Sequence, residues 1–272
     1  MPTKPKLGQN FLRDPRAVER IAAALGDLSS STVVEIGPGE GAITAALAAR
    51  AAHVLAIELD SVLAAQLRAQ FPPDSVTPNR VTIVEQSILH FDFAAAAAEG
   101  GGARLPVAGN LPYYITSPIL LHLAAAHASI DRAVLMVQRE VADRITAAPG
   151  SSNYGVLSAT IQMYGPVESL FTLPPSAFVP PPQVHSTVFR WRLAPRFAEL
   201  AVEESSFLAF LRRAFAQKRK TLSNNLRAAG ISSPAAAAAL AQAAIDPKAR
   251  AESLSLESFA ALWQALHAEG LA

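Results

Sequence analysis

The chain has 272 residues, of which 51% are hydrophobic, and a net charge of only +1, a length that carries one large domain with a smaller one attached. No apolar run reaches the eighteen residues of a membrane span, and the start Met1-Pro2-Thr3-Lys4-Pro5-Lys6 lacks a signal-peptide core, so a cytoplasmic protein is expected. The lack of cysteine excludes a disulfide frame, a thiolate zinc site and a Cys nucleophile, and neither an H-E-x-x-H metal pattern nor a Gly-x-Ser-x-Gly elbow is present.

From Thr32 to about Ser129, strand-like runs alternate with helix-like stretches, the rhythm of a doubly wound parallel sheet. Val33 to Ile36 reads as a strand that runs into Gly37-Pro38-Gly39-Glu40-Gly41 and then a helix, Ala42 to Arg50. Glycines let backbone approach a ligand where a Cβ would collide. The spacing is not the dinucleotide G-x-G-x-x-G, and Pro38 interrupts it, so a pyrophosphate fits poorly. The next strand, His53 to Leu59, brings Glu58 and Asp60 to its end. An acid there can bond both hydroxyls of a ribose. S-adenosylmethionine offers a ribose and no phosphate and is the favoured ligand; NAD is the alternative, without any hydride-transfer site to support it.

A strand at Val81 to Val84 leads to Glu85-Gln86-Ser87-Ile88-Leu89, and a further one at Leu105 to Gly109 leads to Asn110-Leu111-Pro112-Tyr113. Such a tetrad suits a planar exocyclic amine. The Asn side chain and a backbone carbonyl accept its two hydrogens, Pro112 stiffens the turn, and Tyr113 gives a flat face for a base, a contact worth roughly 1–3 kcal/mol. The same residues also make an ordinary strand-ending turn. Ala94 to Ala98 are good helix formers with no assigned function.

Arg132 to Gln138 reads as another buried strand, Glu140 to Ala147 as a helix, and Val167 to Leu173 with Ser186 to Leu193 as a closing pair of strands. Between these two lies Pro174-Pro175-Ser176-Ala177-Phe178-Val179-Pro180-Pro181-Pro182, which reads as an extended connector or ligand segment. Beyond Pro195 only helices are expected, at Phe197 to Ala216, Lys218 to Ala229, Pro234 to Ala244 and Leu256 to Glu269. Arg212, Arg213, Lys218, Arg219 and Lys220 form a basic group without an acid, and Lys4, Lys6, Arg13, Arg16 and Arg20 form a second. Taken singly each is a solvated face. Beside a methyl-transfer site they read as phosphate contacts, with a steep salt dependence.

The chain resembles the ribosomal RNA small-subunit adenine dimethyltransferases of the KsgA type, relatives of the Erm methylases. The likeness spans nearly the whole chain in seven blocks: Gly8-Gln9-Asn10-Phe11-Leu12, Glu35 to Gly41, Glu58, Asn110 to Tyr113, Gln138 to Arg144, Phe178 to Val184, and Lys218-Arg219-Lys220-Thr221-Leu222 with Asn224-Asn225-Leu226. It implies an α/β fold, a Rossmann-like class I methyltransferase sheet with helices on both faces over residues 1–195. A small all-α domain at 196–272 would bind RNA and the ribosome.

It further implies that Gln9, Asn10 and Leu12 line the S-adenosylmethionine pocket, with Glu35, Gly37, Gly39 and Gly41 toward the methionine part, Glu58 at the ribose and Asn110 between cofactor and target. Asn110, Leu111, Pro112 and Tyr113 would carry the chemistry. Phe178 either clamps the extruded base opposite Tyr113 or anchors its own loop. Where the family places an Asp against the cofactor's adenine, this chain has Ser87. The implied activity is dimethylation of two adjacent adenines near the 3′ end of 16S rRNA in the small ribosomal subunit, by a monomer without metal, with a role in subunit maturation. The alternatives are a 23S rRNA or DNA adenine methylase, and an assembly factor whose binding matters more than its catalysis.

Overall fold

A computed structural model of the chain describes residues 10–72 and 80–271. Strand β1 (Phe11–Leu12) precedes helix α1 (Pro15–Ala24). Asp14 caps α1 by accepting from the Arg16 and Ala17 amides, and Pro15 occupies a first-turn position where no N–H is needed. Then β2 (Thr32–Ile36), α2 (Ala42–Ala48), β3 (His53–Glu58), α3 (Ser61–Gln70), β4 (Arg80–Glu85), α4 (Phe93–Glu99), β5 (Leu105–Asn110), α5 (Thr116–Ala125) and β6 (Ile130–Gln138) alternate. Asp60 and Asp92 cap α3 and α4 in the same way as Asp14.

After β6 come α6 (Arg139–Ile145), α7 (Val156–Met163), β7 (Val167–Leu173), β8 (Phe178–Val179) and β9 (Ser186–Arg192), followed by α8 (Glu204–Ala214), α9 (Leu222–Ala228), α10 (Ser233–Gln242) and α11 (Leu256–Ala268). Seven strands make one sheet in the order β4-β3-β2-β5-β6-β9-β7, while β1 and β8 form a separate antiparallel pair. Pairing is parallel from β4 to β6, and β9 runs antiparallel to both β6 and β7. The expected closing pair of strands is thus present. Val33, Val34, Val54, Ala56, Val107, Ala108, Val134 and Leu135 are wholly buried, which is why the central strands read as unbroken apolar runs.

The chain forms two compact units. The first comprises residues up to Ala142 and Pro166–Ala194; the second comprises Asp143–Gly165 and Pro195–Ala272. A simple division at 195 therefore missed an excursion. Residues 143–165 belong with the later helices because Tyr154 packs edge-on to Phe215, and Tyr164 packs on Phe197 and donates its hydroxyl to Glu204. Phe207, Phe210, Phe259 and Trp263 continue that aromatic core.

The expected helix limits in the second unit are corrected. Helix α8 starts at Glu204, where Glu203 accepts from the Ser205 and Ser206 amides. Helix α9 starts after Thr221, whose hydroxyl accepts from the Asn224 amide, so Lys218, Arg219 and Lys220 lie in a turn and not in a helix. Among the described residues no helix is long and apolar enough to cross a membrane.

Candidate functional site

The chain builds outward from β2 through β3 to β4 and then crosses to β5 on the other side of β2. Such a reversal leaves a crevice beyond the carboxyl ends of the strands, where α/β sheets hold ligands. A cleft opens there. Its walls are Asn10 to Arg13, Ile36 to Glu40 with Ala42 and Ile43, Ile57 to Leu59, Gln86 to Ile88, and Asn110 to Ile115.

The glycine loop follows β2. Gly37, Gly39 and Gly41 all have positive φ (64°, 58° and 84°), a region costly for side-chain-bearing residues. A Cβ on Gly39 would also lie 2.9 Å from the Phe11 ring, so that ring closes directly over the loop. Glu58, at the end of β3, is buried and accepts from the amides of Gly39 (3.2 Å) and Asp60 (2.9 Å). These bonds fix its carboxylate at the cleft wall, and burial holds its pKa above the ordinary value against their opposing pull. Asp60 faces away from this work and caps α3. Ser87 lines the same wall, its hydroxyl accepting from the Leu89 amide at 3.3 Å.

Strand β5 supplies the other wall. Gly109 is required by close packing, because a Cβ there would sit 2.7 Å from the Ile36 carbonyl oxygen of β2. The Asn110 side chain donates through Nδ2 to the backbone carbonyl of Asn10 at 3.0 Å, while its buried Oδ1 has no hydrogen-bond partner among the described residues. The Pro112 carbonyl accepts from the Ile115 amide and the Thr116 hydroxyl. Tyr113 shares a 2.6 Å hydrogen bond with the buried Ser186 hydroxyl, which anchors the far end of its side chain, and burial keeps its phenol above the usual pKa.

The structure thus gathers Asn10, Leu12, Gly37, Gly39, Glu58, Ser87 and Asn110 to Tyr113 around one cleft. Three expected residues stand elsewhere. Glu35 is completely buried beneath the loop and does not line the cleft; burial pushes its carboxyl up to about 8, opposed by the Thr44 hydroxyl and reinforced by the Glu58 charge. Gly41 also stays out of the lining and turns the chain into α2.

Of the two readings of Phe178, base clamp or loop anchor, its burial favours the anchor over the clamp. It pairs with Leu12 across β1 and β8, is 2% exposed, and packs in the cluster that contains Ile21, Leu25 and Val188. Gln9 lies outside the described residues, as do Lys4 and Lys6. Phe11, Gln86 and Tyr114 were not singled out, and Arg13 only as part of the amino-end basic group. Phe11 could have been, since it sits inside the quoted Gln-Asn-Phe-Leu block.

Arg212 and Arg213 are exposed in the last turn of α8, and Lys218, Arg219 and Lys220 are exposed in the following turn. Lys218 donates to the Ser152 carbonyl at 2.8 Å. In the other basic group Arg13 pairs with Glu40, and Arg20 lies 3.6 Å over the Phe171 ring.

Among the lining residues the one Lys or Arg is Arg13, and it is already paired with Glu40. Among the described residues a pyrophosphate would find no uncommitted cation there, whereas a nucleoside without one finds Glu58 for its hydroxyls and Ile36, Ile57 and Ile88 for its apolar faces. With an orphaned amine acceptor on the opposite wall, the cleft and sheet define an S-adenosylmethionine-dependent methyltransferase of the Rossmann-like class.

Comparison with known proteins narrows the class. The sequence model described as ribosomal RNA adenine dimethylase matches residues 2–267. The chain is 55% identical to "Ribosomal RNA small subunit methyltransferase A" of Acidobacterium capsulatum, covering 97% of this chain and 91% of that protein. It is 49% identical to the protein of the same name from Koribacter versatilis, covering 97% and 94%. Among solved structures, a dimethyladenosine transferase from Plasmodium falciparum superposes with a TM-score of 0.81 at 24% identity, covering 96% of this chain and 98% of that one. The 23S rRNA methyltransferase ErmE superposes at 0.72 with 25% identity, covering 95% and 100%. The chain belongs to the ribosomal RNA adenine dimethylase family.

Proposed function

We propose that this enzyme dimethylates the exocyclic amines of two adjacent adenines near the 3′ end of 16S rRNA, in the small ribosomal subunit, as a cytoplasmic monomer that contributes to subunit maturation. The relatives named for the small subunit, at up to 55% identity, support that target. The observation that carries the chemistry is the Asn110 carboxamide, tied through Nδ2 to Asn10 and left with an acceptor that no described residue occupies.

In this reading Asn10, Leu12, Gly37, Gly39, Glu58 and Ser87 hold S-adenosylmethionine, which when bound supplies a methyl group on a sulfonium. Glu35 and Gly41 shape the loop from behind. The target adenine leaves its stack and lies on the Tyr113 ring, whose hydroxyl Ser186 anchors. Asn110 Oδ1 accepts one amine hydrogen. The Pro112 carbonyl already has two donors, so the Leu111 carbonyl accepts the other. These two acceptors turn the nitrogen lone pair out of ring conjugation and aim it along the line of transfer.

Holding the partners in such a near-attack geometry supplies roughly 7–11 kcal/mol of barrier reduction. Methylation makes the amine acidic, so its proton leaves to water and no side-chain base is required. A secondary amine keeps its lone pair, which allows a second round in the same pocket. Arg212, Arg213, Lys218, Arg219 and Lys220 would hold RNA phosphates.

The test is incubation of the full chain with labelled cofactor and under-methylated small subunits, in parallel with large subunits and adenine-containing DNA, followed by nucleoside mapping. Dimethyladenosine confined to two neighbouring small-subunit positions is expected. Label appearing instead in large-subunit RNA would move the assignment toward the activity for which ErmE is named.

A further inference from the structure

We propose that Asn10 is a positioning residue whose backbone carbonyl selects the orientation of the Asn110 carboxamide, so that Oδ1 and not Nδ2 faces the target amine. This deepens the proposed methyl transfer and rests on it.

A carboxamide is nearly symmetric in shape but opposite in polarity at its two ends. Turned by half a rotation, Asn110 would present NH2 to an incoming NH2, two donors with nothing between them, and the amine lone pair would stay conjugated. Nothing in the Asn-Leu-Pro-Tyr turn itself decides between the two orientations. The deciding group comes from a distant part of the chain. A backbone carbonyl has no hydrogen to give, so the Asn10 oxygen at 3.0 Å accepts Nδ2 and rejects Oδ1.

Asn10 is itself held firmly. Phe11 and Leu12 pair with Val179 and Phe178, and the Arg13 amide donates to the Ala177 carbonyl at 2.8 Å. Leu12 is buried in the core, the Phe11 ring rests on Gly39, and Arg13 is paired with Glu40. The β1 and β8 pair adds nothing to the seven-stranded sheet. Its effect is to seat the segment that lines the cleft and, through Asn10, to polarise the catalytic side chain. The buried Phe178 thereby acquires a role, as the residue opposite Leu12 in this clasp.

Residue 110 must accordingly donate on one side and accept on the other. A carboxylate can only accept, whereas a carboxylic acid can do both. In Asn110→Asp, burial and the facing Asn10 oxygen both favour the protonated form of the new carboxyl and raise its pKa. The experiment compares this variant with the wild-type chain on under-methylated small subunits from about pH 5.5 to 8.5, with cofactor affinity followed by calorimetry. The expected result is a variant-to-wild-type kcat ratio that climbs toward acid, by about tenfold per pH unit above the new group's pKa, at unchanged cofactor affinity. A ratio that stays flat with pH, or a variant fully active at alkaline pH, overturns the proposal.

Should Asn110→Asp not fold, the wild-type protein provides the second measurement, nuclear magnetic resonance of the Asn110 side-chain amide assigned by its loss in Asn110→Ala. Protection of that amide from solvent exchange is expected, and exchange as fast as that of surface Asn residues overturns the proposal. A wild-type chain that methylated no adenine would fail the proposed function instead. The amide measurement needs no substrate and would still decide the role of Asn10.

Discussion

At Glu35 the folded chain holds a proton that the unfolded chain releases. Burial pushes this carboxyl from 4.5 up to about 8. Between those values the native state binds the extra proton, so its contribution to stability falls as pH rises through the window and is fully lost above it. Glu35→Gln mimics the protonated form. It is expected to raise the unfolding temperature by a few degrees at pH 8 and to change it little near pH 4, as scanning calorimetry at the two pH values would read. Ser87 offers a second residue-level test. Its hydroxyl caps a short turn and is neutral, and a charge-assisted hydrogen bond is roughly twice as strong as a neutral one. Ser87→Asp keeps the cap and adds the charge. Titration calorimetry should show tighter cofactor binding, and unchanged or weaker binding would count against placing the adenine beside Ser87. Asn110→Ala removes the amine acceptor and should abolish turnover with cofactor affinity largely intact; equal loss of both would make Asn110 a cofactor residue.

At the level of elements, β2 and β5 meet so closely at the cleft floor that Gly109 has no room for a methyl group, with the Ile36 oxygen at 2.7 Å and Ile36 Cβ at 3.0 Å. Gly109→Ala should cost roughly 1–3 kcal/mol in denaturant unfolding and weaken cofactor binding by parting the two strands; wild-type stability would refute that packing. The inner strands were legible because burial on both faces leaves continuous apolar runs such as Val33-Val34 and Val134-Leu135. Glycine loop, Glu58 and the Asn110 turn were legible because each follows a readable strand. Strands β1 and β8 were not, since two paired residues apiece carry no periodicity. The choice between the two readings of Phe178 was illegible for that reason: it takes the pairing with Leu12 and the burial in the core cluster to decide it. Helix α7 was missed as well, and the starts of α8 and α9 were set too early because the caps at Glu203 and Thr221 outweigh the helix propensity of the residues before them.

Across the whole molecule a net charge of +1 gives no general attraction to RNA, so recognition depends on where the cations stand. Those at Arg212, Arg213 and Lys218 to Lys220 are exposed on one turn and the helix end before it. Replacing Arg219 and Lys220 together by Glu should weaken subunit binding and reduce its logarithmic salt slope by about 0.7–0.9 per lost phosphate contact, with cofactor affinity unaffected. A salt slope equal to wild type would place the RNA elsewhere. The second unit is assembled from two separated stretches, and this bears on synthesis as well as on architecture. During translation Tyr154 and Tyr164 emerge before Phe197, Glu204 and Phe215, the groups that cover them, so the nascent polypeptide must carry a sticky, unfinished segment until α8 and Phe215 leave the exit tunnel. A fragment stopping at 195 should consequently precipitate on warming, and co-expressed 196–272 should keep it in solution.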